Sequence, residues 1–275
     1  MQVNKSLFQD KKCKYGEAMQ KVFREIKKQP YIYRTHSLNF SAHIHEDIEL
    51  VFVKRGGGIA YCDGKKYTLR GNTFFIVFPN QVHRYEECDS GEYILLILKP
   101  TMLLSYRNVF LEGLPVSAEW RFNDAKNDNL VYLLETVVYE YNRDGYSPII
   151  SAYLTAIFGK LLKVYEIQKS NVSGNTVLQI LEYCSEHYKE NISVGEIAQK
   201  LHISCSCVSH IFSSRLAMNF CDYINSLRLA DAVQLLKSGN YSVTEVSNLS
   251  GFSTLRTFNR AFLKKYGVPP SKYGK

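Results

Sequence analysis

The stretch His43-Ile44-His45-Glu46-Asp47-Ile48-Glu49 sets two imidazoles one residue apart, with a carboxylate four residues after the second. On a β-strand, residues i and i+2 leave the same face, so His43 and His45 enter one space. Imidazole nitrogens and carboxylate oxygens suit a first-row divalent ion. The same groups also hydrogen-bond a polar small molecule inside an apolar wall. They can equally satisfy one another in a polar core. Residue types alone leave these three readings open.

A second constellation lies at the other end of the chain. Residues 256–275 carry six basic side chains and no acid. Arginine grips guanine through O6 and N7, and asparagine pairs with the adenine edge. Lysine neutralises phosphates and adds salt-sensitive affinity without sequence information.

The elements that must position these groups follow from the patterning. The 275 residues are 45% hydrophobic and 22% charged, with a net charge of +8. That suits a globular chain of two domains with a proper core. The charge excess is spread out: 11 basic and 7 acidic residues in 171–275, against 23 and 19 in 1–170. No stretch reaches the roughly 18 apolar residues that span a bilayer, and the first residues lack the apolar region of a signal peptide. The seven cysteines have no framework spacing and read as reduced thiols. Cys205 and Cys207, at i and i+2 on a helix, face different sides and make a poor chelate.

Residues 1–30 read as a Lys-rich arm or helix. Over 31–123, short alternating runs predict a β-barrel, with Asp63-Gly64 as a hairpin turn whose two positions need positive φ. The period becomes helical over 124–168. Leu130, Leu133, Leu134, Val137, Val138 and Tyr141 form one stripe; Ile150, Tyr153, Leu154, Ile157, Phe158, Leu161 and Tyr165 form another. The two helices pack either on the barrel or on each other across a dimer. Residues 169–175, polar and small, read as a linker, and 176–275 is all helical. The expected class is α+β: an N-terminal β-barrel, two helices, and an all-α C-terminal domain.

That last domain contains a repeat. SVGEIAQKLHIS (193–204) aligns with SVTEVSNLSGFS (242–253). Each copy has a capping box, Ser193/Glu196 or Ser242/Glu245, then a short helix and a tight turn. A second N-cap serine, Ser204 or Ser253, starts a second helix. This is the helix-turn-helix arrangement, over about 193–215 and about 242–265, with a long helix near Phe220–Lys237 between. Val208, Ile211 and Phe212 face inward in the first recognition helix, leaving Cys205, Ser206, Ser209 and His210 outside. Phe258 and Phe262 anchor the second, leaving Leu255, Arg256, Asn259 and Arg260 outside.

Residues 175–275 resemble the AraC/XylS family of bacterial transcription regulators, most specifically in GFSTLRTFNRAFLKKYGVPPSKY (251–273). The resemblance implies two helix-turn-helix units that read successive major-groove faces of double-stranded DNA. Ser206, Ser209 and His210 fall on its base-reading positions, beside Leu255, Arg256, Asn259 and Arg260. Ser204, Ser253, Lys264, Lys265 and Lys272 are candidates for phosphates. Two positions depart from the pattern: His202 and Ala217 stand where glycine is usual.

Residues 35–98 resemble a cupin domain, the sensor often joined to this DNA reader. His43-x-His45-x-x-x-Glu49 with Gly56 forms its first motif, and Pro79-Asn80-Gln81-Val82-His83 part of its second, with Gln81 in place of glycine. The resemblance brings His83 to the first cluster. The effector pocket is then His43, His45, Glu49 and His83 with Tyr61 and Tyr85, and Phe75 and Phe78 nearby; the first four are a candidate divalent-metal site. The implied protein is a ligand-responsive activator rather than an enzyme, serving carbohydrate or other small-molecule metabolism. Its partners would be a sugar-like effector, RNA polymerase and a second copy of the chain, in the cytoplasm at the nucleoid. The competing readings are a metal-binding cupin sensor or enzyme with a DNA-binding tail, and a constitutive DNA-binding protein whose barrel only dimerises.

Overall fold

The computed structural model describes residues 23–24, 30–88, 90–121, 128–169, 174–216 and 218–273. The N-terminal arm save residues 23–24 and 30, residues 170–173 of the expected linker, and Ala217 lie outside the described residues. The described residues fall into two compact units. One is built from parts of 21–187 with 192–224; the other from 188–191 with 225–275.

The first unit is organised by two five-stranded sheets. One runs β1 (Phe23–Arg24), β3 (Phe40–Ile44), β8 (His83–Glu86), β5 (Gly57–Cys62), β6 (Lys65–Arg70). The other runs β11 (Glu119–Arg121), β7 (Thr73–Val77), β4 (Ile48–Arg55), β9 (Glu92–Leu98), β2 (Tyr31–Thr35). Pairing is antiparallel throughout these two sheets except between β1 and β3. The predicted hairpin joins β5 to β6, with φ of 46° at Asp63 and 74° at Gly64. These are the positive values a two-residue hairpin loop demands.

Alternation along β4 creates two cores. Ile48, Leu50 and Phe52 turn one way, into a cluster with Phe74, Ile76, Ile94 and Leu96. Val51 and Val53 turn the other way, toward Ala60, Cys62, Leu69, Phe75, Val77 and Leu95. The second core lies between the sheets. The first is roofed by α2 (Asp128–Asp144) and α3 (Pro148–Leu161), following a short α1 (Arg107–Glu112). The predicted apolar stripes of α2 and α3 are therefore spent on the sheet: Leu130, Leu134, Val137, Val138, Ile150, Leu154, Ile157, Phe158 and Leu161 are all buried there. Glu135 ties α2 to the strands by pairing with Lys54 at 2.8 Å and with Arg34. A small ladder of β10 (Gly113–Pro115) and β12 (Ile167–Lys169) closes this region, and α4 (Gly174–His187) follows.

The repeat folds twice in the same way. The pairs are α5 (Val194–Lys200) with α6 (Cys205–Arg215), and α8 (Val243–Leu249) with α9 (Leu255–Tyr266). The helix α7 (Phe220–Ser238) lies between them in sequence. Both capping boxes form, at Ser193/Glu196 and Ser242/Glu245. Both turns close with equivalent backbone bonds. Ile203 N–H donates to Ala198 O at 2.9 Å, and Phe252 N–H to Ser247 O at 3.0 Å. Ser204 caps α6, accepting from Cys207 N–H. The second cap is a correction: Thr254, not Ser253, caps α9 by accepting from Thr257 N–H. The reason is the extra residue in the second copy, which shifts the helix start by one.

The turns need a left-handed residue, at φ 55° for His202 and 85° for Gly251. A Cβ on Gly251 would sit 2.5 Å from Lys189 Cα, so only glycine fits there. Gly251→Ala is expected to cost more than about 1 kcal/mol, because its backbone has no alternative conformation. His202→Gly trades relief of the left-handed strain against lost rigidity and should change stability by under about 1 kcal/mol. Urea unfolding of both variants measures the contrast.

Candidate metal centre and nucleic-acid interface

Strand geometry delivers the four predicted side chains to one buried point. His43 on β3 stands opposite His83 on β8 as a cross-strand pair, their rings 4.0 Å apart between centroids. His45 follows two residues on, 4.8 Å from His83. Glu49 enters from β4, on the inward side of the strand with Val51 and Val53. All four are buried, and their ligand atoms lie within 4.8 Å of one another.

Each imidazole is aimed by its own backbone. His43 Nδ1 bonds Ser41 O at 2.9 Å, His45 Nδ1 bonds Asp47 O at 3.1 Å, and His83 Nδ1 bonds Gln81 O at 2.9 Å. A carbonyl can only accept, so each ring donates from Nδ1. The Nε2 atoms are thereby turned toward the centre. His45 Nε2 lies 3.3 Å and His83 Nε2 3.6 Å from Glu49 Oε2, and His83 Nε2 is buried without a hydrogen bond. Three imidazole nitrogens and a carboxylate thus converge in a dry space. Such a set requires a positive centre, a proton or a metal ion.

The electrostatics agree. Burial pushes the Glu49 carboxyl up, but His83 and His45 outweigh it and hold the group well below the usual carboxylate range. Burial, then His83, pulls His43 well below the ordinary histidine value, so its ring stays neutral. Tyr85 donates its hydroxyl to Glu49 Oε1 at 2.5 Å; burial and then Glu49 keep that phenol protonated.

Two aromatic assignments need correction. Tyr61 does not reach the cluster. On β5, Ala60 and Cys62 take the inward positions, and the Tyr61 ring lies under the Arg84 guanidinium at 3.8 Å. Phe78 belongs to the core under the helices. Phe75 does pack in the inner core, edge-on to Tyr85.

The structure adds residues that sequence reasoning missed. The loop 79–83 is held by Asp63, whose carboxylate accepts from Gln81 Nε2 at 2.7 Å and Val82 N–H at 3.2 Å. Gln81 Oε1 in turn accepts from Phe78 N–H at 2.8 Å. Asp63 also pairs with Arg215 on α6. Burial pushes the Asp63 carboxyl up, and Arg215 opposes it. The departure from the cupin pattern at Gln81 was the available signal, since its amide does what glycine cannot.

On the helical side, Val208, Ile211, Phe212, Phe258 and Phe262 are buried, as expected from the pattern. Ser206, Ser209 and His210 on α6 are exposed, as are Leu255, Arg256, Asn259 and Arg260 on α9. Ser204, Ser253, Lys264 and Lys272 are exposed too. Lys265 differs. It is half-buried, its ammonium 3.5 Å from Ser226 O, and burial lowers its pKa to about 8.

A β-sandwich with a histidine–carboxylate centre, on the same chain as two helix-turn-helix units, defines a sensor joined to a DNA reader. The family described as "AraC-like ligand binding domain" matches residues 29–108, and the family described as "Helix-turn-helix domain" matches 197–275. Together they cover more than half of the chain, which belongs to the AraC family of ligand-responsive transcriptional regulators. The HTH-type transcriptional regulator YfiF of Bacillus subtilis is 23% identical over 87% of this chain and 80% of its own. The HTH-type transcriptional activator RhaS of Salmonella paratyphi A is 24% identical over 84% of this chain and 86% of its own. Among solved structures, an apo ToxT variant from Vibrio cholerae is similar at 18% identity, with a TM-score of 0.46, covering 89% of this chain and 95% of that one. No helix of the described residues is long and apolar enough to cross a membrane.

The Tyr85–Glu49 bond gives a direct test of the centre's architecture. Tyr85→Phe is expected to lower stability by about 1.5–3 kcal/mol, the usual worth of a hydrogen bond to a charged group. Urea unfolding at neutral pH checks this.

Proposed function

We propose that the chain is a transcription activator whose sensor holds a first-row divalent metal ion between His43, His45, Glu49 and His83. The observation that carries this reading is the set of four convergent ligand groups, each histidine aimed from behind by a backbone carbonyl. Outer bonds of that kind orient metal-ligating histidines. Size favours an ion over a molecule. Two ligands at about 2.1 Å on opposite sides of a metal lie roughly 4.2 Å apart; the 4.8 Å span of the cluster matches that and leaves no room for a sugar ring. A polar effector, with carbohydrate the class the family resemblance suggests, would then meet the ion rather than replace it. Bound there, the ion would supply a Lewis-acidic point for an oxygen ligand. Nothing in the reading requires turnover, and the regulatory relatives support a non-enzymatic role.

In this reading α6 and α9 enter successive major grooves, with the protein in the cytoplasm at the nucleoid. Base readout falls to Ser206, Ser209 and His210, and more strongly to Leu255, Arg256, Asn259 and Arg260. Ser204, Ser253, Lys264 and Lys272 meet phosphates. Lys265, proposed from the sequence for the same task, is turned back toward Ser226 and is better assigned to packing. The relatives named as activators support activation, which would proceed through contact with RNA polymerase. A second copy of the chain would dock on the face of α2 that the sheet leaves out, where Tyr132 and Tyr139 are 71% and 61% exposed.

Cobalt(II) titration of the full chain, followed by visible absorption, tests the metal centre. One equivalent per chain is expected, lost in the His43→Ala/His83→Ala double variant with its circular dichroism retained. A wild-type chain that binds neither cobalt(II) nor zinc(II) refutes the centre.

The DNA assignments separate on a duplex selected from a random pool. Arg256→Ala is expected to lose about 1–3 kcal/mol of discrimination at one base pair. Lys264→Ala should weaken all sequences alike and reduce the salt slope by about 1. Lys265→Met should leave DNA affinity near wild type and raise the thermal midpoint, because it removes a desolvated charge.

A further inference from the structure

The ion pair between Asp63 and Arg215 joins side chains 152 positions apart in sequence. Both are nearly buried, at 12% and 13% exposure. Arg215 is the last residue of α6, the recognition helix of the first helix-turn-helix unit. Asp63 is the first residue of the β5–β6 turn, and it holds the loop that ends in His83. A buried charge pair is costly to desolvate and persists only with good geometry and further hydrogen bonds. Asp63 has those bonds, to Gln81 Nε2 and Val82 N–H.

Two short routes lead from this carboxylate to the histidine cluster. Gln81 gives its side chain to Asp63 and its carbonyl to His83 Nδ1. One residue earlier, Asn80 N–H donates to His45 O at 2.8 Å. Any ligand that fixes the rings of His45 and His83 therefore fixes the loop, and the loop is what orients Asp63. A ligand shifts a conformational equilibrium only through different affinities for two states; here the two states would be Arg215 held and Arg215 released.

We infer that the Asp63–Arg215 pair is a clasp that couples the histidine–carboxylate centre to the recognition helix of the first helix-turn-helix unit. The inference rests on reading that centre as the sensor site. The coupling is reciprocal: whatever moves α6, DNA included, changes the affinity of the centre by the same factor. With the pair broken, this link between the centre and α6 is lost.

Amide hydrogen exchange on the full chain tests the clasp, in peptides spanning 78–84 and 205–216. Arg215→Met is expected to speed exchange in the 78–84 peptide by several-fold, within the roughly 5–150-fold span of ordinary couplings. Peptides from β9 should match wild type. Arg215→Lys, which keeps the charge, should retain most of the protection. Unchanged exchange over 78–84 in Arg215→Met overturns the clasp. If Arg215→Met does not fold, Asp63→Asn read at 205–216 takes its place, with faster exchange expected and no change overturning it. Cobalt(II) added to the wild type should alter both peptides together, and in Arg215→Met only the first. A cobalt effect on 205–216 that survives in Arg215→Met also overturns the clasp. A chain that binds no metal refutes the centre alone, and the exchange of the metal-free variants still decides the coupling.

Discussion

Strand β4 is buried on both faces, and the architecture of the sensor depends on that constraint. Its alternation sends Ile48, Leu50 and Phe52 under the helices and Val51 and Val53 between the sheets. Glu49 shares the inward side. A carboxylate in that position has no water to solvate it, so it must find donors or a cation. Tyr85 supplies one donor. The remaining demand falls on the space it shares with three imidazoles, each bonded through Nδ1 to a backbone carbonyl. One alternating strand thus sets both the packing of the domain and the chemistry of its centre.

The DNA-reading half is built on repetition with a divided role. Two turns close with equivalent backbone bonds, and two capping boxes start the short helices. The outer faces differ. α6 presents Ser206, Ser209 and His210, whereas α9 presents Arg256, Asn259 and Arg260. The second helix carries the charge and the bidentate groups. The first carries, at its last residue, the arginine that pairs with the sensor.

Much of this was legible in the sequence, for identifiable reasons. The capping boxes, the Asp63-Gly64 turn and the buried phenylalanines of α9 are set by neighbours a few residues apart, whose hydrogen bonds and periodicity are local. The cluster of His43, His45, Glu49 and His83 was legible because strand alternation and two spaced motifs mark the inward face. Errors arose where one residue of register decides. Thr254 displaced Ser253 as a cap, and Tyr61 fell on the outward side of β5. The half-burial of Lys265 was not legible either, because a lysine's exposure depends on what it packs against, here Ser226.

The sequence by itself determined the two helix-turn-helix units, the strand-rich sensor and the residue types of its centre, since each follows from short-range periodicity and turn chemistry. Tertiary structure alone decided where the apolar stripes of α2 and α3 are buried, which nitrogen of each histidine faces inward, and that Asp63 meets Arg215. Those outcomes depend on side chains from distant segments sharing one dry volume. In such a volume, burial and the lack of competing water select the partner, and no local pattern along the chain records that selection.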